Sequence, residues 1–184
     1  MTELIPITAL GAAAAQSLRL GRLTIRDLPD LALASLSMPS EGQASSGLGL
    51  TLPGPGRWTS GTDVAAFWTG PGQWMIEGPG LAETDFASLI AAKIPGVAVT
   101  EQTDGFAGFA VEGPRIDRLL ERLINLPTAA TAPGCATRTG LHHMSVFVIR
   151  ETAEKVVLLA MRSMAGTLWD ILKNTAEQKI EEEQ

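Results

Sequence analysis

Cysteine is nearly absent from this sequence. Cys135 stands alone, so no internal disulfide can form, and the two histidines, adjacent at 142 and 143, give no Cys/His spacing that suits zinc. Tyrosine is missing altogether and lysine is scarce, with four Lys against ten Arg. Acidic residues outnumber basic ones 20 to 14, and the net charge of -6 opposes the phosphate neutralisation that drives nucleic-acid binding, which sets DNA and RNA aside as partners. No apolar run approaches the ~20 residues of a membrane-spanning helix, and the start, Met1-Thr2-Glu3-Leu4-Ile5-Pro6, lacks the basic region of a signal peptide. A cytoplasmic protein that does not enter membranes is the expectation. Charge itself is thin, at 18% against roughly a quarter in typical soluble domains. With the preference for Arg over Lys, this suits a surface partly covered by another protein.

Catalytic patterns are missing as well. His142-His143 opens a strand, where neighbouring side chains point to opposite faces, so one metal could not easily take both. Asp104 precedes Gly105 and reads as turn chemistry rather than as an active carboxylate. Cys135, between Gly134 and Ala136, has no cationic neighbour in sequence to activate it and reads as inert. Gly54-Pro55-Gly56 and Gly70-Pro71-Gly72 are turns, because no Lys-Ser/Thr follows to complete a phosphate loop. No catalytic and no metal-ligating residue is assigned.

What is present is a phrase written twice, Ile76-Glu77-Gly78-Pro79 and Val111-Glu112-Gly113-Pro114, 35 residues apart. It suggests a duplicated strand-turn-helix unit, with Gly supplying a positive φ and Pro sitting early in a helix. Around it the length suits one well-filled core. Residues 1–20 are expected to form a flexible arm with a short helix at the Ala12–Ala15 run, residues 21–176 a single domain, and residues 177–184 an acidic tail. Arg22 to Met38 alternates, broken at Asp27-Leu28-Pro29-Asp30. Pro39 to Gly61 is rich in Gly, Pro and Ser and reads as a long loop or flap, from which deletion of Gln43 to Gly56 should leave the domain folded.

Val64–Trp68 and Trp74–Glu77 read as a hairpin, followed by a helix from Glu83 to Lys93 with Phe86, Leu89 and Ile90 inward. Val97–Thr103 and Phe106–Glu112 read as a second hairpin turning at Asp104-Gly105. Ile116, Leu119, Leu120, Leu123 and Ile124 form one apolar stripe of a helix from Pro114. Pro127 to Gly140 is turn-rich. Met144–Ile149 and Val156–Met161 make a hairpin with a charged tip, and Ser163 caps a last helix with Met164, Leu168, Ile171 and Leu172 inward. Strands in pairs between single helices indicate an α+β domain with antiparallel pairing. Trp68 and Trp74 share a face by period two. That face is either packed in the core or, with Arg57 and Trp58, offered to a partner as a subunit interface, since Trp and Arg are prominent in interfaces.

Leu52-Pro53, followed by Trp68-Thr69-Gly70-Pro71-Gly72-Gln73-Trp74-Met75-Ile76, resembles the signature of the gamma subunit of heterotetrameric sarcosine oxidase. So do Val99 to Asp104 leading through Phe109 to Gly113-Pro114-Arg115, Arg138-Thr139 leading to Arg150, and Arg162-Ser163-Met164-Ala165 leading to Leu168-Trp169-Asp170-Ile171-Leu172. The likeness runs from about residue 45 to residue 174. One departure is Gly72-Gln73, where that family often has acidic residues. The resemblance implies a folate-binding aminomethyltransferase-like fold, two pseudo-twofold-related halves of antiparallel strands with helices. It also implies a non-catalytic subunit serving assembly and stability of a complex with alpha, beta and delta partners. That complex oxidatively demethylates sarcosine to glycine, with hydrogen peroxide and methylene-tetrahydrofolate as products. FAD, FMN, NAD, tetrahydrofolate and zinc are then expected in the partner subunits and no cofactor in this chain. The alternative is a stand-alone folate-binding protein of the aminomethyltransferase or iron-sulfur-maintenance type. Of the latter's Lys-Gly-Cys-aromatic-x-Gly-Gln-Glu motif only Gly134-Cys135 is present.

Overall fold

The computed structural model describes residues 6–38 and 45–182. Two antiparallel sheets lie face to face. The first runs in the order β4 (Trp58–Ser60), β5 (Ala65–Gly70), β6 (Gln73–Pro79), β3 (Leu31–Ser37), β7 (Ala98–Glu101). The second runs β9 (Cys135–Leu141), β10 (Met144–Thr152), β11 (Lys155–Met161), β8 (Phe106–Glu112), β2 (Leu23–Asp27), β1 (Ser17–Leu20). Helix α1 (Phe86–Lys93) packs on the outer face of the first sheet, and α2 (Ile116–Leu123) and α3 (Ala165–Glu182) on that of the second.

Period-two alternation divides each strand between two cores. Along β6, Trp74 and Ile76 face α1, while Met75 joins Leu33, Phe67, Phe147 and Leu159 between the sheets. Along β8, Ala107, Phe109 and Val111 face α2 and α3, while Ala110 lies between the sheets. At one edge the sheets join: Trp58 N–H donates to the Gly134 carbonyl at 2.9 Å and Ala136 N–H to that of Gly56 at 3.0 Å.

The halves are related, though not as the repeated phrase suggests. Taken in spatial order, β4-β5-β6-β3-β7 matches β9-β10-β11-β8-β2, so β3 is the counterpart of β8, and β6 of β11. The crossovers between sheets carry the same symmetry. Leu28 N–H donates to Gly108, the third residue of β8, and Gln102 N–H to Leu33, the third residue of β3. Ile76–Pro79 and Val111–Pro114 thus occupy inequivalent places. Gly113 does take a positive φ, +137°, with the Arg22 carbonyl where a Cβ would lie. Gly78 has no positive φ and is small because a Cβ would lie 2.5 Å from the Phe86 ring. Neither Pro79 nor Pro114 lies inside a helix, since α1 starts at Phe86 and α2 at Ile116.

Other expectations are corrected by packing. β7 and β8 form no hairpin: Asp104-Gly105 turns the chain from one sheet to the other. Within the arm assigned to residues 1–20, Ser17–Leu20 is strand β1 and Thr8 is buried, and Ala12–Ala15 is not helical. The tail assigned from residue 177 continues α3 as far as Glu182. Cys135–Leu141, nearly all of it within the stretch read as turn-rich, is the edge strand β9, in which Thr137 and Thr139 are half-buried and Arg138 is exposed. Leu89 and Met164, expected inside, are exposed. Glu101 explains part of α1's start: its carboxylate accepts from Ala87 N–H at 2.9 Å, beside the Asp85 cap on Ser88 N–H at 3.1 Å.

The loop assigned to Pro39–Gly61 lies outside the described residues from 39 to 44; the remainder is structural. Leu48 is buried in the α1-side core, with Leu50 and Leu52 packed against it. The Trp74 indole donates to the Pro53 carbonyl at 2.8 Å. Removing this stretch therefore strips a core wall, contrary to the expectation that the domain would tolerate its loss. Trp74→Phe, which keeps the ring and leaves that buried carbonyl unpaired, is expected to destabilise by about 2 kcal/mol. Urea denaturation of the two proteins measures this.

Candidate functional site

Between the two sheets, where β6 and β10 end and β5 and β11 begin, lies a cavity of about 720 Å³. Its position follows from the topology, because the crossover Asp27–Leu31 closes one side and the turns at Gly61–Val64 and around Glu151–Lys155 the others. Leu28, Leu31, Val64 and Val157 give it apolar walls.

The polar group that distinguishes it is Glu77. On β6 it follows Met75 in phase, so it points between the sheets, and it is 4% exposed. Trp58, across β5 from it, donates its indole N–H to Glu77 Oε2 at 2.8 Å. Oε1 has no hydrogen-bond partner among the described residues. Burial pushes this carboxyl up to about 7, against the Trp58 hydrogen bond; Glu151 adds to the rise and Lys155 offsets it. Lys155 Nζ and Glu151 Oε2 are themselves paired at 2.8 Å. A second buried acid, Asp27, stands at the cavity's edge, but in phase with Leu23 and Ile25 its side chain turns to the helix side of β2, where Oδ2 is buried and unpartnered. Burial raises its pKa too, against hydrogen bonds from Thr8 and the Leu28 backbone.

The residues assigned to a partner surface are placed as follows. Trp68 and Trp74 face each other across the β5–β6 hairpin and share a face, as period two requires. That face is the core under α1: Trp74 is buried, and Trp68 is partly buried beside it. Of the two readings, core packing holds for Trp74, and its place as an interface residue is corrected. Trp58 is half-buried and lines the cavity. Arg57 alone of the four is exposed, and it donates to Cys135 Sγ at 3.4 Å.

His142 and His143 are not in a strand. They form the exposed tip between β9 and β10, with His142 at φ +51°. Asp104 is exposed in a single 3-10 turn, 3.8 Å from Arg162. Cys135 is buried. Arg150 is buried as well; it donates to Asp117 at 3.1 Å and to the Ala153 carbonyl at 2.6 Å, tying β10 to α2. Among the described residues no group of three or more His, Cys, Asp or Glu could hold a metal ion, and no helix is long and apolar enough to cross a membrane.

Glu77 is the residue that sequence reasoning passed over. The signal was present: Trp74-Met75-Ile76 is apolar in both phases, the mark of a strand covered on both sides, so an acid continuing it is buried whichever way it points.

No family model matches the chain, and no curated protein matches it in sequence. Solved structures do match. A chain of the heterotetrameric sarcosine oxidase from Corynebacterium sp. U-96, solved with pyrrole 2-carboxylate, is similar with a TM-score of 0.72 and 17% identity, over 88% of this chain and 87% of that one. Aminomethyltransferase T of the glycine cleavage system from Bartonella henselae is similar with a TM-score of 0.56 and 17% identity, over 79% of this chain and 44% of that one. The two-sheet fold described above is therefore the fold shared with sarcosine oxidase and aminomethyltransferase T.

Proposed function

We propose that this chain is the non-catalytic gamma-type subunit of a heterotetrameric sarcosine oxidase, serving assembly and stability of the complex. The observation that carries the reading is coextension: the chain and one chain of that oxidase match over 88% and 87% of their lengths, whereas only 44% of aminomethyltransferase T is spanned. The thin charge and the Arg-over-Lys bias support a covered surface. In this reading the alpha, beta and delta partners carry FAD, FMN, NAD, tetrahydrofolate and zinc, and perform the oxidative demethylation of sarcosine.

The test is purification of the native protein through a tag on this chain. Larger chains that co-elute with flavin absorbance are the expected result. A colourless protein that elutes alone, and that tetrahydrofolate protects from hydrogen exchange, would overturn the subunit reading in favour of a stand-alone folate-binding protein.

A further inference from the structure

The inter-sheet cavity has a property that subunit assembly does not call for: its charge is unbalanced in one sense. Five acids line it, Asp27, Asp30, Asp63, Glu77 and Glu151, against two bases. Both bases are already engaged, Lys155 with Glu151 at 2.8 Å and Arg26 with Glu112 at 3.2 Å. What remains unpaired inside is acidic, and it is buried: Glu77, with Oε1 free. A buried carboxylate without a partner is costly, and a cation arriving beside it recovers that cost.

The walls narrow the choice of cation. Leu28, Leu31, Val64 and Val157, with Trp58, offer hydrocarbon and aromatic surface, and among the described residues no three of the acids are grouped so as to hold a metal ion. A hard metal ion seeks six or more oxygens and is poorly served there. An anion meets an excess of like charge, both bases being paired already. A volume of about 720 Å³ falls in the range of small-molecule sites, and the mixture of apolar wall and one fixed polar group is their usual composition.

We propose that this cavity binds a small organic cation, an ammonium or amidinium on an apolar body, whose N–H groups donate to Glu77 Oε1 while Trp58 holds Oε2. The site is independent of the subunit reading, since it rests on this chain's own residues.

Titration of the full chain with benzamidine, benzamide and benzoate, followed by calorimetry, tests it. The three share a ring and differ in charge. Benzamidine is expected to bind at least tenfold more tightly than neutral benzamide, and benzoate more weakly still. Glu77 is partly protonated near pH 7, so cation binding there releases a proton and its enthalpy depends on the buffer. The groups that modulate this are Trp58 on β4 and the Glu151–Lys155 pair, while Asp30 on the crossover, Asp63 beside β5 and Arg26 on β2 also line the cavity.

Glu77→Gln should lower benzamidine affinity at least tenfold, whereas Glu121→Gln, on the outer face of α2, should leave it unchanged. Should Glu77→Gln fail to fold, proton release by the unaltered chain still decides. Equal affinity for benzamidine and benzamide, or benzamidine binding without proton release between pH 6 and pH 7, would overturn the proposal.

Discussion

Replacing Leu119 by Asp is expected to leave the chain unfolded under conditions where Arg118→Ala folds normally. Leu119 is fully buried on the face of α2 that meets β2, β8, β10 and α3. It belongs to the stripe Ile116, Leu119, Leu120, Leu123 and Ile124, every member of which is buried. Loss of the leucine from a packed core costs about 2–5 kcal/mol. Desolvating a carboxylate that has no designed partner adds several kcal/mol, or forces it to be protonated at comparable cost. The sum reaches the whole stability of a typical domain, about 5–15 kcal/mol. Arg118, one residue away, is exposed, and its truncation should cost under about 0.5 kcal/mol. Far-UV circular dichroism and thermal melts of the two variants make the comparison. Similar melting temperatures would show that α2 presents a different face to the sheet.

That stripe was legible in the sequence because a helix advertises its buried side locally, within eight residues. Strands β8, β10 and β11 were legible for the same reason, through short apolar runs bounded by turn residues. Sheet membership was not. Asp104-Gly105 announces a turn, but a turn signal holds no information on whether the next strand returns beside the last one or crosses to another sheet; here it crosses. β9 was missed because an edge strand with Thr137, Arg138 and Thr139 looks like a polar loop. The twice-written Glu-Gly-Pro phrase misled through chemistry shared by unlike places: one glycine bends the backbone, and the other clears room for Phe86. The two-half architecture was nevertheless the expected one, and the likeness to sarcosine oxidase and aminomethyltransferase T bears that fold out. The cavity was illegible as a whole, since its walls come from β2, β4, β5, β6, β10 and β11 and their turns, distant in sequence.

The acid inside that cavity gives the chain an unusual dependence on pH. Glu77 is raised from 4.5 to about 7 on folding, chiefly by burial. Between those values the folded chain holds a proton that the unfolded chain has released, so acidification favours folding and stability falls as pH rises toward and through about 7. The full shift corresponds to about 3 kcal/mol. Asp27, also raised by burial, acts in the same sense. Asp85 and Glu101 act oppositely: Asp85 is lowered by hydrogen bonds from Ser88, and Glu101, though burial pushes it up, is lowered on balance by Thr103 and the backbone N–H groups of Ala87, Thr103 and Gln102. Their effect falls below the ordinary carboxylate range and leaves the window from pH 5 to pH 7 to Glu77. Glu77→Gln separates the contributions, because the amide still accepts from the Trp58 indole yet cannot ionise. The variant should exceed the original chain by under about 1 kcal/mol at pH 5 and by about 3 kcal/mol at pH 8, and show a flatter profile between. Urea denaturation at one-unit intervals across this range measures the difference, and parallel profiles for the two proteins would mean that Glu77 is ionised in the folded state throughout.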